Sequence, residues 1–479
     1  MKQRAIALGF DDNEAEDGDV DEREYPARPL VQKIAVRGLH GRLDYDLDLE
    51  STGDADRLAL FYGDNGSGKT TVLRMVWDLL SPAPNKGHRH SISRVTFESF
   101  TLVLGNDYRI SAIRKVPVNG PYEIEVRRKG RLESRSQWPE QGRFDDYFRT
   151  LSTKELTARI QDLDVELASA GREALAKRKY IETLERFTSA PYFLGDDRST
   201  ASDEVEADRT ASALRRNRLG MPADADAASA SNVGLATQLE RSLSRVNSKL
   251  RHLTLGGTVS GSASADSVYV DVVEHLASSE PFKKDTEPVR SQLVKRLHDM
   301  GQRSRAYEAL GLVPRFASQA LVTNVQKVPD GQLGVLQSIM EPYLRSLTAR
   351  LDALEEARAL IQTLIDEANQ YLNDKSVQYK RRSLKIVLGD GSELEASQLS
   401  SGECHVLLLL FTAVLARGSS QLFLIDEPEL SLNVKWQRRI VRSLLSLTEG
   451  SGLQFILATH SIELLSGFRQ RVVRFQSEG

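Results

Sequence analysis

Arg57-Leu58-Ala59-Leu60-Phe61-Tyr62-Gly63-Asp64-Asn65-Gly66-Ser67-Gly68-Lys69-Thr70 runs a short apolar strand into a glycine-rich turn of the pattern GxxxxGK[ST], and an amphipathic helix is predicted to follow over 70–80. Strand, glycine turn and helix in that order are the context a phosphate-binding loop requires. The glycines let backbone N–H groups turn inward around phosphate oxygens, and the helix N-terminus adds a favourable dipole. The expected nucleotide contacts are Gly63, Asp64, Asn65, Gly66, Ser67, Gly68, Lys69, Thr70 and Thr71. Lys69 is placed for the β- and γ-phosphates of ATP, and Thr70 offers a hydroxyl to Mg2+.

A second stretch lies near the other end of the chain. Leu422-Phe423-Leu424-Ile425-Asp426-Glu427 is a continuous apolar run ending in two acids. A strand covered on both faces reads this way, and its carboxyl end is where an open α/β sheet binds ligand. Asp426 is therefore the expected partner of Thr70 on Mg2+, and Glu427 the group that orients or activates a water. Alone, the two acids could equally cap the next helix. The phosphate loop turns the balance towards chemistry.

The 479 residues suffice for two or three domains. Hydrophobic residues make up 40% and charged residues 27%, the balance of a soluble globular protein. No apolar run approaches the ~18–20 residues of a membrane span, and the first ten residues lack a signal-peptide core. The single cysteine, Cys404, excludes an internal disulfide and a cysteine zinc cluster. A cytoplasmic location without a membrane partner is the resulting expectation. The net charge of −3 supplies no overall positive field for nucleic acid, so any such contact needs a local patch.

Residues 11–24 hold nine acids and one arginine, which makes 1–29 an expected disordered acidic tail. Residues 30–150 read as a first lobe, with strands at 31–36, 43–49, 57–62, 95–104, 107–113 and 122–127. Residues 151–380 read as a helical insertion, with helices at 154–187, 235–253, 288–310 and 336–372 and loops at 199–232 and 256–267. In the last helix Leu336, Ile339, Tyr343, Leu347, Leu351, Leu354, Ile361, Ile365, Ala368 and Leu372 form a coiled-coil-like seam. A short antiparallel arm and two helices packed on a globular lobe account for it equally. Residues 381–479 return to α/β, with strands at 383–388, 422–425, 453–458 and 472–475.

Leu399-Ser400-Ser401-Gly402-Glu403 stands before the acidic strand and opens the apolar helix predicted over 404–415. A serine- and glycine-rich helix N-terminus is a second anion site. This stretch resembles the ABC-family signature, usually written LSGGQ. The resemblance implies that Ser400, Ser401, Gly402 and Glu403 meet the γ-phosphate held by an opposite subunit. Ser431-Leu432-Asn433 stands where that family has its D-loop, with Asn433 in place of the usual Asp. Thr459-His460-Ser461 follows a buried strand as the family's switch histidine does, so His460 joins Lys69 and Glu427 as an expected catalytic residue. Gln137 and Gln141 are the glutamines nearest a Q-loop position, and no adenine-stacking aromatic stands out. Cys404 reads as a small buried residue rather than a nucleophile.

The implied fold class is α/β, an ABC-type P-loop ATPase head with a helical insertion between its two lobes. Roughly 330 residues separate phosphate loop and signature, whereas transporter ATPases keep the two close. The split head resembles the SMC, Rad50 and RecF group, and the stretch 361–403 resembles stand-alone prokaryotic ATPases of the RecF/OLD-like type (AAA_15/AAA_21-type). Among these are the ATPase subunits of the PARIS and Septu anti-phage systems. Phe193-Leu194-Gly195-Asp196-Asp197-Arg198 resembles a short element of the same group. The resemblance implies a Mg2+-dependent ATPase that forms a homodimer or higher homo-oligomer through shared ATP sites. It would act as sensor or scaffold for a separately encoded effector, expected to be a nuclease, with DNA or a phage protein as trigger. With the last predicted strand at 472–475, no appended Toprim nuclease is expected, and the insertion shows no HNH or PD-(D/E)xK cluster. A RecF/Rad50-like repair or recombination ATPase is the alternative. Its DNA contacts would come from Arg209, Arg215, Arg216 and Arg218, or from Lys283, Lys284, Arg290, Lys295, Arg296, Arg303 and Arg305. A solvated helix face explains both clusters as well. A third reading, an ATP-binding module without turnover, is opposed by Glu427 beside Asp426.

Overall fold

The structure, a computed structural model, describes residues 30–49, 57–83, 86–105, 107–114, 119–138, 157, 165–187, 190–196, 200–201, 234–277 and 287–476. The expected acidic tail, the arginines at 209–218, Lys283, Lys284, Gln141, Asp197 and Arg198 lie outside these residues.

The described strands form two larger sheets and a hairpin. The first sheet contains β1 (Val31–Leu39), β2 (Leu43–Asp48), β4 (Ser99–Leu104), β5 (Tyr108–Ile113), β6 (Tyr122–Arg128) and β7 (Arg131–Trp138). Its order is β2-β1-β4-β5-β6-β7, antiparallel throughout. Alternation drives it: in β4 Phe100, Leu102 and Leu104 turn inward while their neighbours stay half-buried. The second sheet contains β3 (Leu58–Tyr62), β8 (Tyr192–Leu194), β9 (Thr200–Ala201), β12 (Leu422–Asp426), β13 (Gln454–Thr459) and β14 (Val472–Arg474), in the order β14-β3-β13-β12-β8-β9. All of its pairings are parallel except β8 with β9. Residues of β12 and β13 are buried throughout, as their unbroken apolar character requires. The Gln454 side chain links the sheets, accepting from the Val31 N–H at 2.9 Å and donating to the Val31 carbonyl at 2.8 Å.

The parallel sheet divides the core. Ala59, Phe61, Leu422, Leu424, Ile456 and Ala458 face the antiparallel sheet and α1 (Lys69–Leu80). Leu58, Leu60, Phe423, Ile425, Phe455 and Leu457 face a helical layer on the other side. That layer contains α4 (Leu235–Ala277), α7 (Leu333–Asn369), α8 (Ser401–Ala416) and α9 (Val434–Leu447). Helix α8 is apolar on every side and buried from Glu403 to Ala416. Helix α9 is amphipathic and buries Ile440, Val441, Leu444 and Leu447. The other described helices are α2 (His88–Ser93), α3 (Val165–Phe187), α5 (Glu287–Ala309), α6 (Ser318–Lys327) and α10 (Ile462–Leu465). Among the described residues no helix is long and apolar enough to cross a membrane.

Several expectations change. The loop expected at 256–267 is helix, because α4 continues to Ala277. The stretch holds Gly256, Gly257 and Gly261, each costing about 1 kcal/mol against Ala inside a helix, a cost spread over a helix of 43 residues. Within the span read as helical insertion, β8 belongs to the parallel sheet beside β12. The strand expected at 95–104 begins only at Ser99, and β7 was not expected. Strand β10 (Lys375–Lys380), also not expected, pairs with β11 (Ser383–Leu388) across Arg381-Arg382, and an isolated bridge joins Val387 and Glu393 around Gly389-Asp390-Gly391. Both arginines hold positive φ, which their sequence does not advertise. Along α7, Ile339 and Tyr343 are 43% and 42% exposed, and Met340 and Leu344 point inward instead. A helix of 3.6 residues per turn drifts away from a heptad seam unless a partner forces supercoiling. From Leu351 onward α7 belongs to the main helical core, while its first half packs with α5 and α6 in a small separate cluster.

Candidate functional site

Four parallel strands deliver their carboxyl ends to one crevice, the place where an open α/β sheet binds ligand. Register aligns Thr459 with Tyr62, Asp426 with Ala458, and Ile425 with Leu194. The phosphate loop after β3, Asp426-Glu427 after β12, His460 after β13 and Asp196 after β8 therefore stand side by side.

In the loop, Gly66 and Gly68 hold φ of 81° and 82°, a left-handed backbone open to glycine at little cost. Gly68 is the N-cap of α1, so the first turns of the helix point their N–H groups into the loop. The Lys69 ammonium is buried and donates to the Gly63 carbonyl at 2.8 Å and the Asp64 carbonyl at 3.0 Å. Burial lowers its pKa, opposed by the charges of Asp426, Glu427, Asp64 and Glu429. The β1–β2 turn overhangs this loop. Tyr45 donates its hydroxyl to the Ser67 carbonyl at 2.8 Å, and exposed His40 sets Nε2 3.3 Å from the Thr71 hydroxyl. Neither ring carried a motif to single it out in the sequence.

Asp426 is 2% exposed, and neither carboxylate oxygen has a hydrogen-bond partner among the described residues. Burial pushes its pKa up to about 6; the Thr70 hydroxyl beside it works against this, and Asp196 and Glu427 add to it. A buried, unpartnered carboxylate beside a helix N-terminal hydroxyl fits a divalent cation, and Asp426 and Thr70 would hold it. Glu427 has φ of 50°, a strained backbone for a side-chain-bearing residue, and donates its N–H to the Ala458 carbonyl. That kink turns its carboxylate to His460, whose Nδ1 lies 3.5 Å from Glu427 Oε1. Glu429, which the sequence did not single out, lies under the same loop with Oε1 3.6 Å from that nitrogen.

The signature stretch forms the N-terminus of α8. Ser400 is the N-cap, its hydroxyl accepting from the Glu403 N–H at 3.3 Å while Glu403 accepts from the Ser400 N–H at 2.8 Å. Glu403 also pairs with Lys375 at 2.9 Å, so its carboxylate turns back into its own protein rather than outward to a ligand. Both ties hold its pKa down against the effect of burial. A Cβ on Gly402 would come 2.9 Å from the Ser431 carbonyl, and this close approach sets α8 against the 431–433 segment. Asn433 caps α9 by accepting from the Trp436 N–H at 3.0 Å. Gln137 lies on β7, at an edge of the antiparallel sheet, and Asp196 follows β8, the strand beside β12. Asp196 in turn meets Arg74 of α1 at 3.3 Å.

A different cluster has the order of a hydrolytic triad. Asp78 accepts from His88 at 2.9 Å, and His88 Nε2 lies 3.0 Å from the Ser81 hydroxyl. Ser81 is fully buried, so no substrate reaches it, and the three residues instead pin the end of α1 to α2.

The family described as "AAA domain, putative AbiEii toxin, Type IV TA system" matches residues 58–466. No curated protein matches the sequence. Among solved structures, the chain is similar to the Smc head domain with an extended coiled coil bound to the C-terminal domain of ScpA, from Pyrococcus furiosus, at 15% identity over 93% of this chain and 96% of that one, TM-score 0.36. It is similar also to the Smc head domain with a coiled coil and joint from Pyrococcus yayanosii, at 12% identity over 94% and 98%, TM-score 0.32. Scores this low carry no argument about function. The family match runs from the strand before the phosphate loop to beyond His460, and the chain belongs to the AAA_21 family of AAA domains.

Proposed function

We propose that the protein hydrolyses ATP at sites shared between two copies of itself, and that turnover controls a separately encoded effector in anti-phage defence. The observation that carries the ATPase reading is the buried, unpartnered Asp426 beside Thr70, one residue from a backbone-strained Glu427 that faces His460. Mg2+ held by Asp426 and Thr70 would neutralise phosphate charge. Lys69 binds the β- and γ-phosphates. Glu427 accepts a proton from the water that attacks the γ-phosphorus, the bond to the ADP oxygen breaks, and His460 contacts the γ-phosphate.

The phosphate loop opens a helix on one face of the parallel sheet, and Ser400 opens a helix on the other. That separation supports completion of each site by Ser400, Ser401 and Gly402 of a second copy. The family description, which names a toxin of a Type IV TA system, supports a conflict role. Within the alternative DNA-clamping cluster, Arg290 is tied to Asp330 and to the Val325, Gln326 and Val328 carbonyls, while Arg296 and Arg303 stand beside Glu341 and Asp352, whose charges weaken the local positive field. We assign the helices of 151–380 to the trigger and effector contacts.

Steady-state turnover tests the enzyme. Lys69→Ala and Glu427→Gln should each lower kcat by roughly 10²-fold or more. Glu427→Gln alone should keep ATP binding and run as a dimer on gel filtration with ATP. Unchanged turnover in Glu427→Gln would show that another group activates the water.

A further inference from the structure

Glu429 is 6% exposed, and its Oε1 collects three donors from one loop: the Thr459 hydroxyl at 2.6 Å, the His460 N–H at 3.0 Å and the Ser461 N–H at 3.2 Å. Two successive backbone N–H groups and a hydroxyl converging on one oxygen form an anion nest that a protein carboxylate fills. The backbone of Glu429 belongs to a different segment. Leu430 donates to the Glu427 carbonyl and Leu432 to the Glu429 carbonyl, winding 427–432 into a tight turn. A second tie runs in parallel: Gln437 donates to the Leu432 carbonyl at 2.8 Å and accepts from the Ser461 hydroxyl at 2.8 Å. The turn also carries the Ser431 carbonyl that Gly402 of the signature helix approaches.

We propose that Glu429 is a positioning residue for His460, and that it transmits the position of the 430–433 segment, set by the signature helix, to the switch loop. The proposal rests on the ATPase reading above. A shift of the signature helix on contact with a second copy moves Ser431, and the nest on Glu429 carries that movement to His460 and Glu427. Glu429 touches no reacting atom; it acts through the loop it holds, with its Oε1 also 3.6 Å from the His460 Nδ1.

The test is steady-state ATPase kinetics on the full chain with a double-mutant cycle. Glu429→Ala should lower kcat by ~30-fold, as expected for lost hydrogen bonds to a charged group, with KM within ~threefold of wild type. Glu429→Gln, which keeps an amide oxygen for the same donors, should restore kcat to within ~threefold of wild type. In a His460→Ala background, Glu429→Ala should cause no further fall beyond ~twofold. Wild-type kcat in Glu429→Ala, or independent multiplication of the two effects, overturns the proposal. Should Glu429→Ala fail to fold, Thr459→Val decides: it removes one donor at nearly constant shape. A fall in kcat of ~threefold or more that vanishes in the His460→Ala background supports the proposal, and an unchanged kcat overturns it. A wild type without turnover would instead overturn the ATPase reading itself.

Discussion

At the scale of single residues, the site keeps a carboxylate where its charge is costly. Asp426 has its pKa pushed up to about 6 from the ordinary 3.8, so the folded chain holds a proton that the unfolded chain releases between those values. Stability contributed at this position is therefore full below about pH 4, falls as pH rises towards 6, and stays low above. Ionising a carboxyl so displaced costs up to about 3 kcal/mol. Asp426→Asn should accordingly raise the unfolding temperature by a few degrees at pH 8 in EDTA and by little at pH 4, while abolishing Mg2+-dependent turnover. An equal change at both pH values would show that packing rather than charge governs the site. The convergence of Lys69, Thr70 and Asp426 on one crevice was legible because few residue types suit a phosphate loop or close a buried strand with an acid, and the spacing around them is narrow. Glu429 was not: in Asp426-Glu427-Pro428-Glu429 all three acids look alike, and only the fold sends one of them under the His460 loop. The left-handed backbone of Glu427 was equally silent, since nothing in a glutamate signals positive φ.

At the scale of elements, α1 shows why pattern alone misplaces polar residues. Asp78 sits among Trp77, Leu79 and Leu80 and reads as part of a solvated face, yet it is 6% exposed and bound to His88 of α2. Trp77 packs edge-on to His88 at 4.6 Å and stacks on Phe193 of β8 at 5.5 Å, joining the phosphate-loop helix to the strand that leads to Asp196. Asp78→Ala leaves a buried His88 nitrogen without this partner and should destabilise the fold by about 1–3 kcal/mol, read by chemical denaturation. Ser81→Ala should leave ATP turnover within ~twofold of wild type, since the triad-like order is closed to substrate; loss of turnover would place the cluster in the reaction. Strand β8 was unreadable for a related reason. Three residues give no period, and their identity as sheet comes from the parallel edge of β12. The continuous runs of β12, β13 and α8 were readable because burial on all sides leaves a mark on every position.

At the scale of the molecule, the parallel sheet poses a geometric question that the residues alone do not answer. It holds the phosphate loop on one face and the signature helix on the other, with the strand ends between them. If both stretches serve ATP, a closed two-fold arrangement gives each copy the other's signature, because an isologous pair presents the same face twice. That arrangement has a quantitative consequence under mixing. Lys69→Ala loses the phosphate loop and keeps the signature; Ser400→Arg keeps the loop and loses the signature. Neither alone forms a complete site. A mixed dimer has one complete site of two, so an equal mixture should return roughly a quarter of wild-type turnover if pairing is random and roughly half if only mixed pairs form. The recovery should follow mixing of the subunits, scale with the product of the two fractions, vanish if Glu427→Gln is added to the Ser400→Arg copy, and persist if it is added to the Lys69→Ala copy. Full turnover in Ser400→Arg alone would remove the signature from the ATP site altogether, and the sheet would then separate two unrelated functions.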